Sequence, residues 1–187
     1  MVTIGALWLP ILLSGIAVWV ASALVWMVLP HHKSDFSKLP DEDAARQALI
    51  PQNLAPGQYS IPYAVTPKDA QEPETARKFE EGPVGFLTIV PSGASAMGGK
   101  IIQSFVFYLV VTLVVAYLAS RTLDAGADYL AVFRVTGTVA WIAYGTATVQ
   151  EAIWFGRPWS VVVKGMLDAL VYGLLTAGLF GWLWPAA

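Results

Sequence analysis

Four long apolar runs, at roughly residues 4–29, 101–120, 129–155 and 159–184, constrain this chain more than any other feature. Crossing the hydrocarbon core of a bilayer takes about 20 apolar helical residues, and each run meets that length. Backbone in lipid must satisfy its own hydrogen bonds, so runs of this kind are read as α-helices. The expected fold is an all-α membrane protein with four transmembrane helices. Between spans one and two it carries a small α+β or irregular cytoplasmic insertion. In domain terms, residues 1–30 hold helix one, 31–100 the insertion, and 101–187 the other three helices (about 101–120, 129–155 and 159–184).

Charge placement agrees. Charged residues make up only 13% of the chain, and none occurs before residue 33. A net charge of −2 leaves no electrostatic footprint for nucleic acid. The absence of cysteine excludes disulfides, thiolate metal sites and cysteine nucleophiles. Ala21-Ser22-Ala23 matches a signal-peptide cleavage pattern, but the residues before it carry no Lys or Arg and the apolar run continues past it. The segment is therefore read as the first span.

Lys and Arg near span ends set orientation. Lys33, Lys38, Arg46, Lys100, Arg157 and Lys164 fall on one side, against Arg121 and Arg134 on the other. This balance places residues 31–100 in the cytoplasm and both termini outside. Trp8, Trp182 and Trp184 would mark the outer interface, with Trp26, Trp154 and Trp159 at the inner one. Trp19 and Trp141 are mid-span and expected to pack against neighbouring helices.

In the insertion, Pro40 and the acids Asp41, Glu42 and Asp43 begin a short helix that lasts until Pro51. A second should start at Pro73 and close at Gly82. Residues 58–61 and 84–90 read as extended and able to pair. Residues 92–99 are small and suit a hinge into span two.

Span four carries the sharpest pattern: Gly165, Ala169, Gly173, Ala177 and Gly181 recur at every fourth position. Helices in lipid approach closely along such small-residue stripes. The expected use is internal packing against span one or three; the alternative is a homodimer or a partner membrane protein docked on span four.

Asp168 lies on the same helix, about 13 Å beyond Trp159 at 1.5 Å per residue. A carboxylate at that depth needs a partner. Lys164, one turn earlier, is the expected one, with Glu151 joining from span three. Tyr172 and Thr176 continue the polar seam. A structural ion pair is the first reading of this intramembrane polar cluster, and a proton or ion relay the second. Arg134, Arg157, Trp26, Trp154 and Trp159 are expected interface anchors, with Asp124, Asp128 or Tyr117 meeting Arg134.

His31 and His32 follow span one directly. Adjacent histidines on a helix point about 100° apart, and no third histidine completes a set, so interface anchoring or phosphate contact is expected and no metal. Gly98-Gly99-Lys100 fails as a phosphate loop, because Ala94 and Ile101 stand where Gly and Ser or Thr are required. No catalytic motif is recognisable, and no cofactor is expected.

The strings His31-His32-Lys33-Ser34-Asp35-Phe36, Leu39-Pro40-Asp41-Glu42 and Pro56-Gly57-Gln58-Tyr59 resemble those of a family of small, uncharacterised bacterial membrane proteins. So do residues 82–88 and 178–185. The resemblance covers nearly the whole chain and implies a bacterial inner membrane and four spans, with no activity, ligand or catalytic residue.

These readings lead to a non-enzymatic accessory, scaffold or assembly factor in the inner membrane. Its partners would be the lipid bilayer and a membrane protein or second copy on span four. The alternative is a small homodimeric transporter or ion-coupled device using Asp168, Lys164 and Glu151.

Overall fold

A computed structural model describes residues 2–93 and 97–187. In chain order a 3-10 turn (Ile4–Leu7) leads into α1 (Trp8–Met27), followed by a second 3-10 turn at His31–Ser34. Then come α2 (Glu42–Leu49), β1 (Gly57–Ile61), α3 (Pro67–Gln71), α4 (Pro73–Glu81) and β2 (Gly85–Ile89). The chain ends with α5 (Met97–Thr122), α6 (Tyr129–Gly145), α7 (Ala147–Phe155) and α8 (Trp159–Trp182). It divides into two compact units, Met1–Asp35 with Ala96–Ala187, and Phe36–Ser95.

Three helices are long and apolar enough to cross a membrane: Ile4–Met27, Met97–Thr122 and Trp159–Trp182. These are the marks of a multi-pass membrane protein. The expected single helix over 129–155 is instead two. Its first part, α6, has 17 residues, about 25 Å of helix, which falls short of a hydrocarbon core of about 30 Å.

The break has a local cause. Gly145 is a poor helix former, and threonines flank the junction. Thr146 Oγ1 donates to the Ile142 carbonyl (2.8 Å) and Thr148 Oγ1 to that of Gly145 (2.7 Å). The Val149 amide turns to the Thr146 carbonyl at 3.2 Å, an i−3 bond that tightens the chain there. Helix α7 then ends at Gly156, whose φ of +67° is a left-handed position that glycine adopts without strain.

Helices α6 and α8 form the closest pair in the bundle. A methyl placed on Gly173 would lie 3.1 Å from the Gly137 carbonyl oxygen and 3.2 Å from Trp141 Cβ. One on Gly145 would lie 2.8 Å from Ala169 Cβ, and one on Gly137 3.0 Å from Ala177 Cβ. Gly181 sits under the Tyr129 ring. Four members of the span-four stripe therefore pack inside the molecule against α6, while Gly165 meets nothing within 4 Å. On another face of the bundle, Gly15 of α1 accommodates Leu109 of α5. Trp19 packs edge-on against Phe105, and Trp141 Nε1 donates to the Met166 carbonyl, so both mid-span tryptophans contact neighbouring helices as expected.

The second unit carries the short elements expected of it. Asp41 caps α2 by accepting from the Ala44 amide at 2.9 Å, and α4 begins at Pro73 and ends before Gly82. Strands β1 and β2 pair antiparallel, with Tyr59 opposite Leu87. Helix α3, capped by Thr66 and Asp69 reciprocally, was not anticipated. Of the expected hinge over 92–99, residues 94–96 lie outside those described, and Gly98 and Gly99 are already helical.

Candidate functional site

Helix α1 stops at Met27, and Pro30 turns the chain into the 3-10 segment His31–Ser34. This segment folds against the early turns of α8. Because it is not α-helical, the two imidazoles are not splayed as on a helix face: their ring centres are 4.2 Å apart. Both reach Asp168, His31 Nε2 at 3.2 Å from Oδ1 and His32 Nε2 at 2.7 Å from Oδ2.

The other face of His32 is also occupied. Its Nδ1 lies 2.5 Å from Asp35 Oδ2, and its ring stacks on the indole of Trp26 with centres 4.0 Å apart and planes within 5°. Burial acts to lower the His32 pKa, but the hydrogen bonds to Asp35 and Asp168, with their charge, outweigh it and raise it above the usual imidazole value. With a carboxylate at each nitrogen, the doubly protonated ring satisfies both acceptors.

Asp35 has two partners. Lys164 Nζ donates to Asp35 Oδ1 (2.7 Å), Ser34 Oγ (2.8 Å) and the His31 carbonyl (2.6 Å). The bond from Lys164, then that from His32, hold the Asp35 carboxyl below the usual carboxylate range. The Asp35 side chain is 2% exposed and that of His32 4%. A continuous line of polar contacts thus runs Lys164, Asp35, His32, Asp168, His31.

This arrangement corrects the expected cluster. Lys164 does not pair with Asp168; it reaches past it to Asp35. Glu151 is bound by Arg157, across the α7–α8 turn, and does not join Asp168. Thr176 Oγ1 donates to the carbonyl of Tyr172 within α8. Tyr172 does stay with Asp168: both line a cleft of about 150 Å³ with Trp26, His32, Tyr144, Thr148, Arg157, Val161 and Gly165. The Tyr172 hydroxyl is buried and makes no hydrogen bond among the described residues.

His31, His32 and Asp168 bring one ligand atom each to within 4.8 Å of one another, a grouping that could hold a metal ion. The expectation of no metal rested on a helical splay of the two histidines and on the lack of a third, and did not weigh Asp168 as a ligand. Trp26, placed as an interface anchor, is also the stacking partner of His32. Trp154 and Trp159 are exposed. Arg134 is exposed and lines a separate groove between α6 and α8 with Phe133, Gly137, Trp141, Gly173 and Leu174. Among the groups expected to meet it, Tyr117 lies under Arg121, and Asp128 precedes α6 at its N-cap.

Comparison with family models, curated proteins and solved structures found no match to this chain.

Proposed function

We propose that this chain is a small cation transporter or cation-coupled device of the bacterial inner membrane, working from the polar line at the junction of α1 and α8. The observation that carries this reading is Asp168. It is a carboxylate two turns into an apolar helix, held by both imidazoles of a sequence-distant segment beside a cleft. Acidic groups in membrane-spanning helices are costly, by about 3 kcal/mol on insertion scales, and mark ion pathways more often than lipid-facing surface. A structural pair needs only one counter-group. Here two imidazoles, a second carboxylate and an ammonium converge, and His32 and Asp168 line the cleft.

In this reading α1, α5 and α8 cross the bilayer, and α6 with α7 makes a fourth, broken crossing. Broken helices beside a polar site are common where a cation must approach. The excess of Lys and Arg around residues 33–46, 100, 157 and 164 supports a site at the cytoplasmic boundary, with both termini outside. Four crossings enclose little space, so two copies would act together.

The test is flux into proteoliposomes. A cation gradient should drive uptake by the reconstituted chain, and Asp168→Asn should abolish it in protein that still runs as a single folded species. Equal flux for Asp168→Asn and wild type would overturn the reading.

The accessory or assembly-factor reading stands second, favoured by the exposed apolar side chains of the unit Phe36–Ser95, among them Phe36, Tyr63 and Val65. Stoichiometric co-purification with another membrane protein through that unit, without flux, would put it first.

A further inference from the structure

We propose that His31, His32 and Asp168 bind a divalent first-row transition metal of the Zn²⁺ class, with Asp35 and Lys164 as positioning residues. This assignment rests on the cation reading above and names the ion.

The donor set is two imidazole nitrogens and one carboxylate oxygen. Hard cations such as Mg²⁺ and Ca²⁺ favour all-oxygen sites, whereas imidazole suits zinc, iron, copper and nickel. The geometry is within side-chain reach of a metal site. In a tetrahedral zinc site with ligands at about 2.0–2.1 Å, neighbouring ligand atoms stand about 3.3 Å apart. Nε2 of His31 and His32 lie 3.2 Å from Asp168 Oδ1 and 2.7 Å from Asp168 Oδ2, and one ligand atom from each residue falls within 4.8 Å of the others, so side-chain adjustments of up to about 1.5 Å bring the set to that spacing. The metal takes the place of the proton between His32 Nε2 and Asp168, and that proton leaves to solvent.

Two independent features point the same way. First, His32 presents Nε2 to the site while its Nδ1 is bound by Asp35 at 2.5 Å, the carboxylate–histidine–metal relation that fixes tautomer and ring orientation in metal centres. Asp35 is fixed in turn by Lys164 at 2.7 Å, and Trp26 holds the ring plane from the side. Second, Tyr172 lines the same cleft, is 7% exposed, and has a hydroxyl without a hydrogen-bond partner among the described residues. Three protein ligands leave a fourth position open. In this proposal a water or small anion from the cleft, which His32 and Asp168 line together with Tyr172 and Arg157, takes that position.

The test uses the full, tag-free chain in detergent micelles, stripped with a chelator. It is titrated with Zn²⁺ by calorimetry and with Co²⁺ by visible absorption, with Mg²⁺ as the hard-cation comparison. The expected result is one Zn²⁺ per chain, intense tetrahedral Co²⁺ bands and no saturable Mg²⁺ heat. Asp35→Asn should weaken Zn²⁺ binding by about 10–100-fold while leaving the stoichiometry at one. His31→Ala and His32→Ala should weaken it further and bleach the Co²⁺ bands. His31 is one-third exposed, so its variant serves even where Asp168→Asn fails to fold.

Absence of saturable Zn²⁺ binding, or wild-type binding by both histidine variants, overturns the assignment. Zn²⁺ bound at these residues in a chain that moves no cation would sink the transport reading and leave the metal site standing. Cation flux without histidine-dependent Zn²⁺ binding would do the reverse.

Discussion

Nε2 of His32 lies 2.7 Å from Oδ2 of Asp168, across 136 positions of sequence. This contact ties the end of α1 to the early turns of α8, and it orders the residues around it. His32 is held between Asp168 and Asp35, and Asp35 between His32 and Lys164. His32 and Asp35 each lie between two groups of opposite charge, so removing one member leaves a buried neighbour with one partner in place of two.

Lys164→Met should therefore destabilise the protein, because the Asp35 carboxylate loses its ammonium partner while its side chain remains 2% exposed. The double variant Lys164→Met with Asp35→Asn should recover part of that loss, since the orphaned charge goes with its partner. Thermal unfolding of wild type, both single variants and the double variant in one detergent checks the order. A double variant no more stable than Lys164→Met would show that the two groups are not coupled.

The three long apolar helices were legible because length and apolarity together are a strong signal, and residues 4–29, 101–120 and 159–184 had both. The fourth run had the composition but also Gly145, Thr146 and Thr148, whose side-chain bonds to the backbone break the helix at a point that hydropathy does not register. The stripe on α8 was legible as a packing surface, and its partner α6 was one of the two expected. The site was only half legible. Asp168 announced itself as a group needing a partner, but Lys164 seemed sufficient because it lay one turn away on the same face. The actual partners follow another span. The overlooked signal was topological: α1 ends beside the early turns of α8, which brings His31 and His32 toward Asp168. Treating those histidines as helical also hid them, because Pro30 and the 3-10 turn allow both rings to face one carboxylate.

The cap of α3 gives a pH dependence in the second unit. Asp69 accepts from the Thr66 amide at 2.9 Å and that of Val65 at 3.2 Å, and Thr66 Oγ1 accepts from the Asp69 amide. The Thr66 bonds hold the Asp69 carboxyl below its ordinary value of 3.8. A group with a depressed folded pKa contributes stability above its unfolded pKa and loses it as pH falls through the folded one. Amide protection at residues 65–70 should therefore be constant from neutral pH down to about 4 and fall below that. Asp69→Asn should start with weaker protection and show a flatter acid response. Hydrogen exchange followed by mass spectrometry reads both, and an unchanged acid profile in Asp69→Asn would assign the titration to another group.

Gly165 and Gly173 share the same stripe on α8, yet substitutions there should have opposite signs. At Gly173 an added methyl meets the Gly137 carbonyl at 3.1 Å and Trp141 at 3.2 Å, so Gly173→Ala forces α6 and α8 apart. Backbone atoms yield poorly, and overpacking of this kind costs about 1–3 kcal/mol. At Gly165 nothing lies within 4 Å. Gly165→Ala therefore meets no neighbour and gains helix propensity, about 1 kcal/mol at most. Thermal unfolding in detergent should show Gly173→Ala lowered and Gly165→Ala unchanged or raised. Were the stripe instead an interface between copies, Gly173→Ala would shift the oligomeric mass and leave the unfolding of the single chain alone. Native mass of the two variants at the same protein concentration separates the cases.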